Sequence, residues 1–354
     1  MTVVSQSLQL TVDEMFRVLN DTEDLEEKLF KLGEDNVKFV FDVDADADDP
    51  LIISINSEKF SLTGESALQA FAFAKISKGL VDIYDLDIII PMVNWYYENK
   101  DGDLKALVKD KKVIAFCRPG TEIYSNTEIL KEVLRAVDGF DVTNVFFEKI
   151  HHDYRETQYC LVIPQMTKQL SDGSVLRAGI HVQNSVIGLK PLVMSGYTSR
   201  DSVGNGQLSD TAFEQWDRKK TKSNTNILEG TDSYDVYTWS FDTTDTLIRC
   251  FKKDAELVAD LQGINVGDHS GALFNDVFTK FSVPVGLRKL VREEYADQLG
   301  QTIFDFWNAI TMVAERPELD GSIDKQLKMM AVGGKLASHP NSCESCHRLK
   351  DDVV

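Results

Sequence analysis

The chain has 354 residues, 43% of them hydrophobic and 27% charged, with a formal net charge of −19. This is the composition of a globular fold with a sizeable core, and no stretch approaches the roughly 18 consecutive apolar residues of a membrane span. Residues 1–110 carry 10 Lys+Arg against 23 Asp+Glu, a balance of −13, which on average repels nucleic acid and anionic membrane.

In chain order, Thr11 and Glu14 read as a capping box opening a helix, with Met15, Val18 and Leu19 as its apolar stripe. Val37, Phe39, Phe41 and Val43 alternate as a strand does, and Leu51 to Ile55 form a second β-rich run. Between them lie Asp42, Asp44, Asp46 and Asp48. The first three match alternate positions of a calcium loop, but Ala47 stands where that loop needs glycine and Ile53 where it needs glutamate, so calcium is not expected. Thr63 caps a helix whose buried side is Ala67, Leu68, Phe71 and Ala74. KVIAFCRPGTEIYSN reads as two short strands around a Pro119-Gly120 turn. Ser125 and Glu128 then open a helix striped by Ile129, Leu130, Val133, Leu134 and Val137.

NVFFEKI, QYCLVIPQM, VLRAGIHV, IGLKPLVMSGY and YDVYTWSF all read as strands, separated by turn signals such as Ser171-Asp172-Gly173 and Asn205-Gly206. DRKKTKSNTN, residues 217–226, reads as an exposed loop. From about residue 243 to Ala337 the stripes are helical, in TLIRCFKKDAELVADL, GLRKLVREEYADQL, TIFDFWNAITMVAE and SIDKQLKMMAVGG. Without a regular βαβ alternation the expected class is α+β, an antiparallel-rich central sheet with flanking helices and a helical C-terminal part. No repeat or linker is visible, so one domain is expected over residues 1–337, followed by a polar tail at 338–354.

Cys343, Cys346 and His347 spell C-x-x-C-H, the haem-attachment string. The five cysteines (Cys117, Cys160, Cys250, Cys343 and Cys346) are scattered, which fits reduced thiols in a cytoplasm, whereas c-type haem is attached outside it. The opening MTVVSQSLQLTVDEMF has no basic region followed by an apolar run, so no signal peptide is expected. Zinc fares little better: His339 is a third candidate ligand, but adjacent Cys346 and His347 rarely reach one ion and there is no second C-x-x-C. No metal or cofactor is expected. His151 and His152 stand beside Asp153, yet neighbours on a strand point to opposite faces. His181 in AGIHVQ reads as a hydrogen-bonded core histidine, and His269 in GDHSGA has no evident partner. With no phosphate-binding glycine loop, no G-x-S-x-G elbow and no assignable nucleophile–base pair, an enzyme is not expected.

Four segments occur in a suggestive order: FSLTGESALQAFAFAKI, VIAFCRPGTEIYSNTEILKEVL, AGIHVQNSVIGLKPLVMSGYTSRDSVGNG and FWNAITMVAE. Together they resemble the phage/plasmid-like family catalogued as domain of unknown function 932. The matching positions are Tyr124, Asn126, Asn184, Ser185, Gly188, Asn205, Gly206, Asn308, Ala309 and Thr311. The approach to Tyr124 departs from the family pattern in CRPGTEI, and the approach to Asn205 does so in YTSRDSV. The resemblance implies a gene of phages and mobile elements, with a role in DNA metabolism. Within the motifs, Asn184 and Ser185 interrupt an apolar strand and either close a bulge or turn before Gly188, the favoured reading, or face a ligand, and Asn308 reads as a cap or a pin on a neighbouring strand.

Three cationic clusters stand out in this acidic chain: Arg218, Lys219, Lys220 and Lys222; Arg249, Lys252 and Lys253; and Arg288, Lys289 and Arg292. Converged into one groove they would track phosphates, with Tyr197, Tyr237 or Trp239 stacking on unpaired bases. The expected function is a cytoplasmic, non-enzymatic phage or mobile-element protein that binds single-stranded nucleic acid as an accessory to replication or recombination, in a host cell. The alternative is a self-assembling or host-directed interaction protein whose acidic surface meets a protein partner. A homo-oligomer suits both, and a membrane neither.

Overall fold

The computed structural model describes residues 9–20, 23–41, 51–153, 155–201, 205–216, 235–266, 270–316, 319 and 323–340. Asp42, Asp44, Asp46 and Asp48, the loop 217–226, His269 and the string from Cys343 to His347 lie outside the described residues. The single domain expected over 1–337 meets a chain whose contacts gather into two compact units. One comprises Met1–Leu19, Asn126–Asn184 and Pro191–Val354, the other Asn20–Ser125 and Ser185–Lys190. The chain passes between them at 19–20, 125–126, 184–185 and 190–191, so no single linker divides them in sequence.

In the larger unit, α1 (Val12–Leu19) opens with the expected box: Thr11 N donates to Glu14 Oε2 at 2.8 Å and Glu14 N to Thr11 Oγ1 at 3.4 Å. The smaller unit follows, with β1 (Glu26–Leu32), β2 (Val37–Phe41), β3 (Leu51–Ile55), β4 (Glu58–Leu62), α2 (Gly64–Phe73), α3 (Lys78–Val81), α4 (Leu86–Asn99), β5 (Gly102–Lys109) and β6 (Lys112–Cys117). Its strands lie in the order β1-β5-β6-β4-β3-β2, antiparallel except for the short β4–β6 pairing. Alternation puts Phe30, Phe39, Ile53 and Phe60 on one face, where Phe71 of α2 and Val93 and Tyr97 of α4 complete a core. Phe41, expected on that face, ends its strand and is 42% exposed.

Thr63 caps α2, its hydroxyl accepting from Ser66 N at 3.0 Å. β2 is an edge strand, and Asn94 of α4 closes it. The amide oxygen accepts from Phe39 N at 2.7 Å and the amide nitrogen donates to Phe39 O at 3.0 Å. The second strand expected after Pro119-Gly120 does not form. There Lys105 Nζ donates to Thr121 O at 3.0 Å, a side chain serving a carbonyl that no neighbouring strand reaches.

The larger unit resumes with α5 (Asn126–Asp138) and a five-stranded antiparallel sheet: β7 (Phe146–His152), β8 (Thr157–Gln169), β9 (Val175–Asn184), β10 (Val193–Arg200) and β11 (Gly206–Gln215), in the order β11-β10-β9-β8-β7. The Ser171-Asp172-Gly173 turn joins β8 to β9, with Gly173 at φ +83° and Leu170 N donating to Ser174 O at 2.8 Å. YDVYTWSF is not a strand. Asp235 accepts from Tyr237 N at 3.1 Å and Thr238 N at 2.8 Å, and this cap starts the long helix α6 (Val236–Asp260) ahead of residue 243. The cap and a buried stripe of Trp239, Leu247, Phe251 and Ala255 outweigh the β-propensity of Val236, Tyr237 and Trp239. The helices α7 (Ser270–Lys280), α8 (Val285–Asp297), α9 (Ile303–Val313) and α10 (Ile323–Ser338) complete the unit. α6 packs on β9 and β10, and α10 packs on β11. The class is α+β, with two antiparallel-rich sheets instead of one central sheet. Among the described residues no helix is long and apolar enough to cross a membrane.

Candidate functional site

Five of the ten motif residues meet in two buried clusters of the larger unit. In the first, Asn126 at the start of α5 accepts from Asn184 Nδ2 at 2.8 Å and donates to Thr157 Oγ1 at 3.0 Å. His152 Nδ1 lies 2.9 Å from the same hydroxyl, while His151 points away toward Asp153 at 3.6 Å, the opposite-facing pair that strand geometry requires. In the second, Asn308 of α9 accepts from Arg200 Nη1 at 2.5 Å and Asn205 Nδ2 at 2.9 Å, and donates to Gln298 Oε1 at 2.8 Å. Asn205 also donates to Thr311 Oγ1 at 2.7 Å, Trp307 Nε1 donates to Gln207 Oε1 at 2.7 Å, and Arg200 continues to Asp172 at 2.6 Å.

This cluster pins the β10–β11 junction to α9, as expected for Asn308. Buried amides and a buried guanidinium bonded to one another fix a fold, with Asn205 Oδ1 alone left without a hydrogen-bond partner in this cluster among the described residues.

Three further motif residues, Tyr124, Ser185 and Gly188, are structural in the smaller unit. Ser185 closes a turn, its carbonyl accepting from Gly188 N at 2.9 Å and its hydroxyl from Leu189 N at 3.0 Å, with Gly188 at φ +72°. Tyr124 is buried and its hydroxyl donates to the Glu122 carboxylate. In the larger unit, His181 is buried with Nδ1 3.3 Å from Ser195 Oγ, and burial holds its pKa down to about 4. Burial also pushes the Cys160 thiol well above its ordinary range, which makes it inert.

Four of the cationic residues, Arg249, Arg288, Lys289 and Arg292, have local partners. Arg249 on α6 makes a two-pronged pair with Asp245 at 2.7 and 2.9 Å, and Lys252 and Lys253 follow it, exposed. On α8, Lys289 pairs with Glu293 at 3.5 Å. Arg288 donates to Val283 O at 3.0 Å and lies over the Phe278 ring, while Arg292 lies over Phe274 and Phe278. These two arginines lie against the aromatic rings of α7. Arg218, Lys219, Lys220 and Lys222 lie outside the described residues. Of the expected stacking aromatics, Tyr197 is buried with its hydroxyl on Glu148 at 2.6 Å, and Trp239 is buried against Trp216 with ring centroids 5.5 Å apart. Neither presents a face to a base; Tyr237 is half-buried.

The surface that sequence reading missed is on the smaller unit. α4, LDIIIPMVNWYYEN, is apolar on two sides. Ile89, Ile90, Val93 and Tyr97 face the core, whereas Ile88, Met92 and Trp95 are 50%, 49% and 67% exposed at i, i+4 and i+7. Ile83 (75% exposed) and Tyr84 (48%), in the turn after α3, extend the apolar surface in sequence. Beside this stripe lies a groove of about 380 Å³ lined by Ala74, Ile76, Pro91, Met92, Trp95 and Tyr96. Asp85, Asp87 and Glu98 flank the stripe, all exposed. The available signal was two apolar stripes on one 14-residue helix, since a helix that is apolar all round must cover both sides. No protein-family model, curated protein or solved structure matches the chain.

Proposed function

We propose that this chain is a non-enzymatic interaction protein, of the kind carried by phages and mobile elements and working in the host cytoplasm, that engages a protein partner through the outer face of α4. One observation carries the reading: Ile88, Met92 and Trp95 form an apolar stripe that the fold leaves in water. Such a stripe costs solubility and is retained where something covers it. The buried clusters around Asn126 and Asn308 support the same reading, because they spend the motif residues on rigidity.

Binding of single-stranded nucleic acid, as an accessory to replication or recombination, is the competing proposal. It draws on the exposed Lys252, Lys253 and Lys289, and has less support because Arg249 and Lys289 pair with carboxylates and two of the three stacking aromatics are buried.

A photo-crosslinking residue at position 92, with position 252 of the larger unit as control, separates the two. A discrete protein adduct at 92 that Ile88→Ser with Trp95→Ser abolishes is the expected result. Retardation of labelled single strands that weakens steeply with salt, with no adduct at 92, would replace this reading by the other.

A further inference from the structure

We infer that the occupant of the α4 face is a basic amphipathic helix of a protein partner, an inference that rests on the function proposed above and names the chemistry of its ligand. Three observations converge. The stripe Ile88, Met92 and Trp95 follows helical spacing over two turns of α4, roughly 10 Å along its axis, and repeats the i, i+4, i+7 anchors of helix-in-groove recognition. Addition of a strand has little to pair with here, because the inner peptides of α4 are hydrogen-bonded within the helix.

The second observation is the groove between α4 and the Ala74–Ile76 segment, which lies alongside the stripe and supplies a pocket for one large apolar side chain. The third is charge. On a helical projection Asp87 and Glu98 border one side of the stripe and Asp85 the other. Residues 74–101 hold five carboxylates against three lysines, Lys75 between the groove-lining Ala74 and Ile76, and Lys78 and Lys100 before and after α4. Among the described residues Asp85, Asp87 and Glu98 enter no ion pair within the chain, so they remain to meet lysine or arginine from outside. An apolar seam between two acidic borders complements a helix with an apolar stripe and flanking cations. The same borders disfavour an anionic membrane surface.

The test uses the full chain and two synthetic amphipathic peptides of about 18 residues with the same leucine face, one with a lysine polar face and one with a glutamate polar face. Trp95 reports occupancy through its protection from acrylamide, with Trp95→Phe as the spectroscopic blank. The lysine peptide is expected to protect Trp95, the glutamate peptide to leave it accessible. Asp85→Asn, Asp87→Asn and Glu98→Gln combined are expected to weaken the lysine peptide about five- to tenfold at low salt, and far less in high salt. These positions are exposed, so circular dichroism and the urea midpoint of the triple variant should match the parent.

Equal protection by both peptides would overturn the charge assignment while leaving α4 as a docking face. Protection by neither would overturn the helix assignment, and the crosslinking result at position 92 would then decide the wider reading by itself. A chain that elutes as a dimer with Trp95 already shielded would make the occupant a second copy, and would equally overturn the inference.

Discussion

Asn184 Nδ2 donates to Asn126 Oδ1 at 2.8 Å, tying the end of β9 to the first turn of α5 across 58 positions of sequence. Thr157, at the start of β8, receives the other arm of Asn126 at 3.0 Å, so three elements share one buried junction. Asn126→Ala and Asn184→Ala should each lower stability by about 1–3 kcal/mol, the range for a buried hydrogen-bond partner removed. The double variant should lose less than the sum, because the pair shares one bond. Urea midpoints of the four proteins measure this, and strict additivity would show that the two side chains act separately.

At the second junction Asn308 Oδ1 is the shared acceptor for Arg200 and Asn205. Asn308→Leu fills the volume but removes the buried acceptor of Arg200 Nη1 and Asn205 Nδ2, while Asp172 and Ser174 still hold the guanidinium, and should cost about 1–3 kcal/mol. Asn308→Asp keeps the acceptor and should recover much of that loss in the same denaturation experiment.

Asn94 serves both polar groups of the Phe39 peptide on the outer edge of β2. Asn94→Leu should leave the helix intact while the Phe39 amide exchanges with solvent at least tenfold faster, by residue-resolved hydrogen exchange, because that edge then opens locally.

Burial alone holds the His181 imidazole down to about 4, against an ordinary value near 6.5. The unfolded chain accepts a proton that the folded imidazole resists, so this contribution to stability is whole above about pH 6.5 and is lost as pH falls toward 4. Asp153 acts lower. Burial pushes its carboxyl up, but His151 and the Glu156 and Arg155 amides outweigh that and bring it to about 2, so its own loss comes below about pH 4. His181→Gln should flatten the fall in urea midpoint between about pH 7 and pH 5.

Gly334 in α10 lies against the Leu208 carbonyl of β11, with no room for a methyl group. In an exposed helix, glycine to alanine gains about 1 kcal/mol; here Gly334→Ala should destabilise by more than that, a reversal of sign that calorimetry resolves.

Much of the fold was legible where a signal is local. The Thr11–Glu14 box, the Thr63 cap, the Gly173 turn and strands β7 to β10 follow from spacing and turn chemistry. YDVYTWSF misled because its β-propensity is strong and its deciding feature is one aspartate, Asp235, whose cap role only the following helix makes visible. β11 was hidden for a different reason: an edge strand with Ser209, Asp210, Glu214 and Gln215 has no apolar alternation. Asn126, Asn184, Asn205 and Asn308 were singled out as motif positions, but nothing in one dimension pairs the first with the second and the third with the fourth. α4 itself went unread in the sequence, and with it both of its stripes, since Ile88 to Ile90 look like a single apolar run until the helix separates them.

Trp95 is 67% exposed, whereas Trp216, Trp239 and Trp307 are 8% exposed or less. Acrylamide quenching of the purified chain beside Trp95→Phe therefore tests the proposed surface most directly. A readily quenched component that disappears in Trp95→Phe, leaving only shielded tryptophans, is the predicted result. Superimposable quenching curves would mean that the α4 face is already covered, and would contradict the account.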